Sequence, residues 1–254
     1  MAIQDLNYFS HALMHPTTVK VVTPHMESAE RTVYFLHGVL SDAQNVLDNL
    51  DLQKYANQYN TAFVIPSCGN SFYIDHGHAF GNYGRFVGNE LVSVTRQKFG
   101  LSNAREDTCI AGFSMGGYGA IRNGLKYYNN FGSIIAMSPA CLYEKSAPKL
   151  SETQFAFFKK VFFDDVFKEK TVPGPFDENY KFLLEKLISE KKPVPNIYMT
   201  CSGEEDLLMM ADEFSQYLNE MGVEHKYVVG NGAHDWKQWT GVFADAMEWL
   251  DGKF

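Results

Sequence analysis

The sequence predicts an α/β fold in one domain of 254 residues, with a mostly parallel central sheet and helices on both faces. Short apolar runs alternate along the chain with segments whose apolar residues recur at helical spacing, which is the pattern of a covered parallel sheet. The length suits a single α/β domain with a modest insertion. The composition, 45% hydrophobic and 20% charged, is that of a globular protein.

The strands are predicted from the short apolar runs. Residues 17–23 alternate apolar and polar side chains, as an antiparallel strand at the edge of a sheet does. Further runs predict strands at residues 32–36, 61–66, 108–113, 132–137, 196–201 and 226–229. Apolar residues at helical spacing predict helices around residues 87–99, 207–221 and 236–250, and Gly222 is well placed to cap the second of these.

A glycine-rich turn follows the strand predicted at residues 108–113. The segment Gly112-Phe113-Ser114-Met115-Gly116 lies between this strand and a stretch of small residues that begins a helix. A G-x-S-x-G sequence in a strand–turn–helix setting is typical of the nucleophile elbow of α/β-hydrolases. The turn strains the backbone of the serine, and the flanking glycines let strand and helix approach closely. We therefore predict Ser114 as a nucleophile whose oxyanion is favoured by the helix N-terminus.

A serine nucleophile needs a base and an acid, which in this fold follow it in the order Asp or Glu, then His. The last strand but one is followed by three acids, Glu204, Glu205 and Asp206. Asp206 is the preferred triad acid and Glu205 its rival, while acids at a helix N-terminus also have a purely structural explanation. The last strand ends in glycines and is followed by His234, which is the predicted base.

The oxyanion of acyl transfer needs two backbone N–H donors. One is expected from Met115, the residue after the nucleophile. The other is expected from the loop after the strand at residues 32–36, where Val39 follows His37-Gly38 and Leu40 is the fallback. For His37 we favour a structural role, in which it holds this loop by hydrogen bonds.

Residues 146–195 contain no clear strand and lie where α/β-hydrolases commonly carry a cap. We predict a small helical cap at about these residues, with a helix around 179–189. Its phenylalanines either form an aromatic wall over the substrate pocket or pack the cap onto the body, and packing is preferred for most of them. These aromatic residues are Phe155, Phe157, Phe158, Phe162, Phe163 and Phe167.

Charge and motif content argue against several ligands. The net charge of −8 does not favour binding to nucleic acid or to an anionic membrane, and no apolar run approaches ~18 residues. His76 and His78 have a spacing that metal ligands can have, but no third ligand follows at a recognised spacing. We predict no metal and no cofactor.

The cysteines and the N-terminus predict a cytoplasmic location. No cysteine belongs to a paired motif, so all four are expected to be buried free thiols in a reducing compartment. They are Cys68, Cys109, Cys141 and Cys201. The first residues lack a basic region followed by an apolar core, so no secretory signal is expected.

Six segments together carry a resemblance to a known family. They are Phe9-Ser10-His11-Ala12-Leu13, Leu36-His37-Gly38, Ser71-Phe72-Tyr73-Ile74-Asp75, Gly112-Phe113-Ser114-Met115-Gly116-Gly117, Cys201-Ser202-Gly203-Glu204-Glu205-Asp206 and Gly232-Ala233-His234-Asp235-Trp236. The chain resembles, nearly from end to end, the esterase D-like branch of the α/β-hydrolases. More narrowly, it is similar to bacterial tributyrin or acetyl esterases related to carbohydrate esterase family 1.

The resemblance implies Ser114 as nucleophile, Asp206 as acid, His234 as base, and Val39 and Met115 as oxyanion donors. It implies hydrolysis of short acyl esters of the acetyl type, with an acylated carbohydrate as one candidate substrate. Feruloyl esterases and thioesterases of the S-formylglutathione hydrolase type share the triad and are alternatives. An acyltransferase, a non-catalytic binding protein and a homo-oligomer are also left open. Val39-Leu40 after His-Gly and the histidines near Asp75 depart from many relatives, which bears on pocket shape.

Overall fold

The computed structural model of the protein describes residues 3–25, 28–77, 80–144, 164–167 and 174–253. The strands within these residues are β1 (Ile3–Ser10), β2 (His15–Val22), β3 (Arg31–Leu36), β4 (Thr61–Pro66), β5 (Thr108–Phe113), β6 (Ser133–Met137), β7 (Asn196–Ser202) and β8 (His225–Gly230). They form one sheet in the order β1-β2-β4-β3-β5-β6-β7-β8. β1, β2 and β4 pair antiparallel, and all other pairs from β4 to β8 are parallel.

The helices of the same residues connect these strands. They are α1 (Ala43–Asn49), α2 (Leu52–Tyr59), α3 (Tyr83–Arg85), α4 (Leu91–Phe99), α5 (Met115–Lys126), α6 (Asp164–Phe167), α7 (Tyr180–Ser189), α8 (Leu208–Glu220) and α9 (Trp236–Asp251), and a π-helical turn, Phe86–Glu90, joins α3 to α4. The predicted helices agree with α4, α7, α8 and α9. Gly222, which follows α8, has a φ of +69°, as expected for a glycine beyond a helix C-terminus.

The sheet has a hydrophobic core on each face. β4, β5 and β6 contain only buried residues, as strands covered on both sides do. Residues of α4, α5, α7 and α8 belong to one core, and residues of α1, α2 and α9 to the other. The predicted α/β-hydrolase fold, with a mostly parallel sheet and helices on both faces, is confirmed. None of the helices in the described residues is long and apolar enough to cross a membrane.

β1 is a strand that the sequence pattern does not predict, since the first strand expected from it lies at residues 17–23. The strand pairs with β2 over its whole length, from Ile3 opposite Val22 to Ser10 opposite His15. Only Leu6 and Ser10 among its residues are buried. An edge strand that buries so few residues has little apolar periodicity in its sequence. Its strand conformation therefore depends on pairing with β2 more than on its own composition.

About half of the predicted cap at residues 146–195 lies outside the described residues, namely residues 146–163 and 168–173, and the phenylalanines from Phe155 to Phe163 lie in that part. The domain boundaries therefore stay a prediction. Phe167 in α6 is described and is buried, with its ring 5.3 Å from that of Phe72 and 5.6 Å from that of Tyr118. For this residue the packing interpretation agrees with the structure.

Two sets of polar contacts join α7 and the residues before it to the body of the domain. Glu144, which is buried and follows β6, accepts hydrogen bonds from the Tyr180 hydroxyl at 3.0 Å and from the Lys181 ammonium at 2.6 Å. The Tyr118 hydroxyl of α5 donates to the Glu178 carbonyl at 2.6 Å. These contacts fix α7 and the residues just before it to α5 and to the segment that follows β6.

The backbones of β3, β5 and α5 approach each other too closely for side chains. A Cβ atom at Gly116 would lie 2.1 Å from the carbonyl oxygen of Leu36, and one at Gly112 would lie 2.5 Å from the carbonyl oxygen of Gly116. No side-chain rotation could relieve these contacts, because the opposing atoms belong to the backbone. The glycines of the G-x-S-x-G segment are therefore steric requirements of the strand–helix junction.

We expect Gly116→Ala to lower the free energy of unfolding by at least about 3 kcal/mol, because the added methyl group forces backbone segments apart. Gly241→Ala is the matched control, since a Cβ atom there meets no atom within 4 Å and the residue lies inside α9. The control should stabilise the protein by about 0.5–1 kcal/mol through helix propensity. Urea unfolding of both variants measures this, and equal effects would contradict the proposed steric origin.

Candidate active site

Ser114 lies between β5 and α5 with φ +56° and ψ −119°, a conformation that L-residues rarely adopt. The surrounding backbone holds it there. Its N–H donates to the Met137 carbonyl at 2.9 Å, and its carbonyl accepts from Tyr118 N–H and Ala140 N–H, both at 3.1 Å. The side chain stands at the N-terminus of α5, as the motif predicts.

His234 lies in the loop between β8 and α9 and contacts Ser114. Its Nε2 atom is 2.9 Å from the Ser114 hydroxyl oxygen. The Asp235 carboxylate caps α9 by accepting from Gln238 N–H, which fixes the loop at its far end. The Trp239 ring packs edge-on against the imidazole, with 5.0 Å between ring centroids. The structure thus brings the predicted nucleophile and base together over a sequence separation of 120 residues.

The carboxylate that contacts His234 belongs to Glu205, and this corrects the prediction of Asp206. Glu205 Oε2 lies 2.7 Å from His234 Nδ1, and its side chain is 0% exposed. Asp206 is half-buried and Glu204 is exposed. Since a carboxylate only accepts hydrogen bonds, Nδ1 carries the proton and Nε2 can accept the proton of the Ser114 hydroxyl.

The turn after β7 explains why the glutamate rather than the aspartate points inward. Ser202 N–H donates to Glu205 Oε1 at 2.9 Å, and Glu205 N–H donates to the Ser202 carbonyl at 3.3 Å. The first of these bonds is the glutamate half of a capping box, in which an acid three residues after a serine accepts from the serine N–H, whereas the Ser202 hydroxyl has no partner among the described residues. The S-x-x-E spacing of Ser202 and Glu205 was the sequence signal that could have distinguished Glu205 from Asp206.

The second carboxylate oxygen of Glu205 has a further partner that sequence reasoning missed. The Ser138 hydroxyl, at the end of β6, donates to Oε1 at 2.6 Å, and the Trp239 indole N–H donates to the Ser138 hydroxyl oxygen at 3.0 Å. Both carboxylate oxygens are therefore hydrogen-bonded, as a buried charge requires. No motif marks Ser138 or Trp239, because their roles arise only where β6, β7 and α9 meet.

The loop after β3 presents the predicted oxyanion donors. Leu40 N–H donates to the Asn70 side-chain oxygen at 2.8 Å, and Leu40 has a φ of +57°. The N–H of Leu40, the alternative oxyanion donor, therefore already has a hydrogen-bond acceptor. Among the described residues neither Val39 N–H nor Met115 N–H has a hydrogen-bond acceptor, and Met115 is the first residue of α5, where N–H groups have no helical partner.

His37 holds this loop, in agreement with the structural role that we favoured. Its Nε2 atom accepts from Cys68 N–H at 2.9 Å, so Nδ1 carries the proton and donates to the Gly38 carbonyl at 2.7 Å. The Tyr73 hydroxyl donates to the His37 carbonyl at 2.9 Å. Burial lowers the pKa of His37, although the bond to Gly38 opposes this shift. The imidazole is thus a neutral group that links two loops.

The remaining candidates provide no second centre in the part of the chain that is described. His76 lies beside the Tyr83 ring, and His78 is outside the described residues. The described residues contain no cluster of three or more histidine, cysteine or acidic side chains that could hold a metal. The four cysteines are buried and free, as predicted, and burial raises the pKa of every thiol. Thiolate nucleophiles are disfavoured in such surroundings.

Comparison with known proteins identifies the family of the chain. The model of the family described as "Putative esterase" matches residues 10–250. The chain belongs to this esterase family. An acetyl esterase of Caldicellulosiruptor saccharolyticus is 34% identical over 261 aligned residues, which cover 98% of each protein.

Two solved structures from Staphylococcus aureus superpose on the esterase over 98% of each chain, at 25% identity. One is a fluorophosphonate-binding serine hydrolase, with a TM-score of 0.86. The other is an S-formylglutathione hydrolase, with a TM-score of 0.84. The chain is an enzyme of the serine hydrolase class, a serine carboxylesterase that acts on small-molecule esters.

The lowered pKa of His37 predicts a specific pH dependence of stability. Its folded-state pKa is below the ordinary value of 6.5, so the unfolded state binds more protons as the pH falls below 6.5. The free energy of unfolding then decreases toward acid, by at most about 1.4 kcal/mol per pH unit from this group. We expect His37→Asn to be less stable at pH 7.5 by about 1–3 kcal/mol but to lose stability less steeply toward acid. Urea unfolding at several pH values measures both, and parallel curves would contradict this assignment.

Proposed function

We propose that Ser114, His234 and Glu205 form the catalytic triad of this esterase. The observation that carries the proposal is the continuous chain of hydrogen bonds, 2.9 Å from Ser114 to His234 and 2.7 Å from His234 to Glu205. The serine has the strained elbow geometry, the histidine has the tautomer of a general base, and the acid is buried. This differs from the sequence prediction only in the identity of the acid.

Catalysis would proceed through an acyl-enzyme. His234 Nε2 takes the Ser114 proton as the hydroxyl oxygen attacks the ester carbonyl, and a tetrahedral oxyanion forms. The imidazolium is stabilised by the Glu205 carboxylate, and it returns its proton to the departing alcohol when the C–O bond breaks. Water then attacks the acyl-enzyme, with His234 again accepting a proton, and the carboxylic acid and free Ser114 are released.

The oxyanion would be bound by the backbone N–H groups of Met115 and Val39. Met115 is the first residue of α5, directly after Ser114, and Val39 lies in the loop held by His37. Asn70 accepts the neighbouring N–H of Leu40 and so helps to fix this loop. Donors that are held in place before reaction stabilise the transition state without reorganisation.

We propose short acyl groups of the acetyl type as the substrate class, which the acetyl esterase relative supports. Thioester hydrolysis is the second candidate, favoured by the superposition on an S-formylglutathione hydrolase. A feruloyl ester, an acylated carbohydrate as the natural substrate, acyl transfer, a homo-oligomeric state and a cytoplasmic location remain predictions from the sequence. Initial rates with acetyl, butyryl and feruloyl esters and with S-formylglutathione would rank the hydrolytic activities. Product analysis with added sugar would detect transfer.

We expect Ser114→Ala to lower kcat on p-nitrophenyl acetate by about 10⁵- to 10⁶-fold, because the variant has no hydroxyl at the elbow to attack the ester. The wild-type protein should be labelled covalently by a fluorophosphonate and the variant should not be. Circular dichroism and thermal unfolding of the variant provide the folding control. Activity near that of the wild type in Ser114→Ala would refute the triad, and an unlabelled wild type would indicate a non-catalytic binding protein.

The identity of the acid is tested by comparing Glu205→Gln with Asp206→Asn. The side-chain amide introduced by Glu205→Gln can donate to Nδ1 and so stabilise the wrong imidazole tautomer, which should lower kcat by about 10⁴-fold with little change in KM. Asp206→Asn removes a neighbouring charge and should leave kcat close to the wild-type value. A large loss in Asp206→Asn with a small one in Glu205→Gln would restore the original prediction.

A further inference from the structure

Ser138, immediately after β6, is held in an unfavourable backbone conformation for a serine. Its φ is +44°, and the residue is 1% exposed. The N–H donates to the Thr200 carbonyl of β7 at 2.6 Å, so the neighbouring strand enforces the conformation. Glycine would adopt this φ without strain. The presence of serine at a strained, buried position indicates that its hydroxyl has a function of its own.

The hydrogen bonds of that hydroxyl have a fixed direction. The Trp239 indole is only a donor, so it occupies a lone pair of the Ser138 oxygen at 3.0 Å. The Ser138 proton is then directed at Glu205 Oε1, which lies 2.6 Å away. The same tryptophan ring packs edge-on against the His234 imidazole. One side chain therefore contacts the base directly and the acid through Ser138.

Glu205 needs such a restraint because a glutamate side chain has one more rotatable bond than an aspartate. Its Oε1 atom is held by two donors, Ser202 N–H from its own turn and the Ser138 hydroxyl from the neighbouring strand. With Oε1 fixed on one side of the carboxylate, Oε2 is directed at His234 Nδ1. The Ser138 hydroxyl thus links the Glu205 carboxylate to the end of β6, the strand that pairs with β5, and Ser114 follows β5.

We propose that Ser138 is a positioning residue of the esterase, which aligns the Glu205 carboxylate on His234 through a directed hydrogen bond that Trp239 sets. The proposal rests on the triad described under Proposed function. In this proposal Ser138, which follows β6, affects the reaction without contacting the substrate. Its effect is expected mainly on kcat, because the imidazolium that forms in the chemical step is stabilised by a correctly oriented carboxylate.

The experiment compares Ser138→Ala, Ser138→Gly and Trp239→Phe on p-nitrophenyl acetate. We expect both Ser138 variants to lose about 10- to 100-fold in kcat with little change in KM, the effect of losing one hydrogen bond to a charged group. The acidic limb of the kcat/KM profile should move to lower pH, because a misaligned carboxylate stabilises the imidazolium less. Ser138→Gly should be more stable than Ser138→Ala, since it relieves the strained φ, but equally slow.

Trp239→Phe keeps a smaller aromatic ring at this position and removes the indole donor, together with part of the packing on Phe113 and Trp236. We expect it to lower kcat less than Ser138→Ala, and to add no further loss when combined with Ser138→Ala, because both act on the same hydrogen bond. Thr32→Val is the matched control. The Thr32 hydroxyl is buried in β3, away from Ser138, and has no hydrogen-bond partner among the described residues, so its removal should leave kcat and the pH profile unchanged.

The proposal is overturned if Ser138→Gly retains wild-type kcat, or if its acidic limb moves to higher pH. The second result would mean that the carboxylate stays in place and has merely lost a donor. If the Ser138 variants do not fold, additive effects of Trp239→Phe and Glu205→Gln would overturn it, and non-additive effects would support it. Failure of the triad itself would appear separately, as activity retained in Ser114→Ala.

Discussion

The structure of the site depends on the close approach of three backbone segments around Ser114. Gly112 and Gly116 bring β5, α5 and β3 within contact of one another, and the opposing atoms are carbonyl groups that cannot move aside. The serine between these glycines is thereby held at φ +56°. Its hydroxyl projects from the turn at the N-terminus of a helix. The roles proposed for His234 and for the loop after β3 depend on their positions relative to this fixed group.

A buried carboxylate is the second constraint, because such a charge is stable only when its oxygens are hydrogen-bonded. Glu205 meets this requirement with donors from three places in the chain, the end of β6, its own turn after β7 and the loop after β8. The parallel sheet makes this possible, since the carboxyl ends of neighbouring strands lie at one edge. Glu205 is thus part of the packing of the domain as well as of the proposed chemistry.

Much of the fold could be predicted from local patterns. For the strands that are buried on both faces, the predicted bounds agree with the structure, as at residues 61–66 and 108–113. Continuous apolar runs of this length have few alternative interpretations. β1 was missed because an edge strand with two buried residues depends on its partner for stability. The contact between Ser114 and His234 could be predicted because turn chemistry and strand order restrict where such residues occur. The carboxylate that contacts His234 could not be predicted, because three adjacent acids share that setting.

The sequence by itself determined the α/β class, the turn in which Ser114 is strained, and the place of His234 after the last strand. Each of these rests on short-range requirements, such as glycine where a Cβ atom cannot fit and apolar runs where both faces are covered. Only the tertiary structure decided that Glu205 contacts His234 and that the Asn70 side chain accepts from Leu40 N–H. It also decided that the Ser138 hydroxyl, which accepts from Trp239, donates to Glu205. These choices depend on distances of a few ångströms between strand ends that are remote in the chain, and no local pattern encodes such distances.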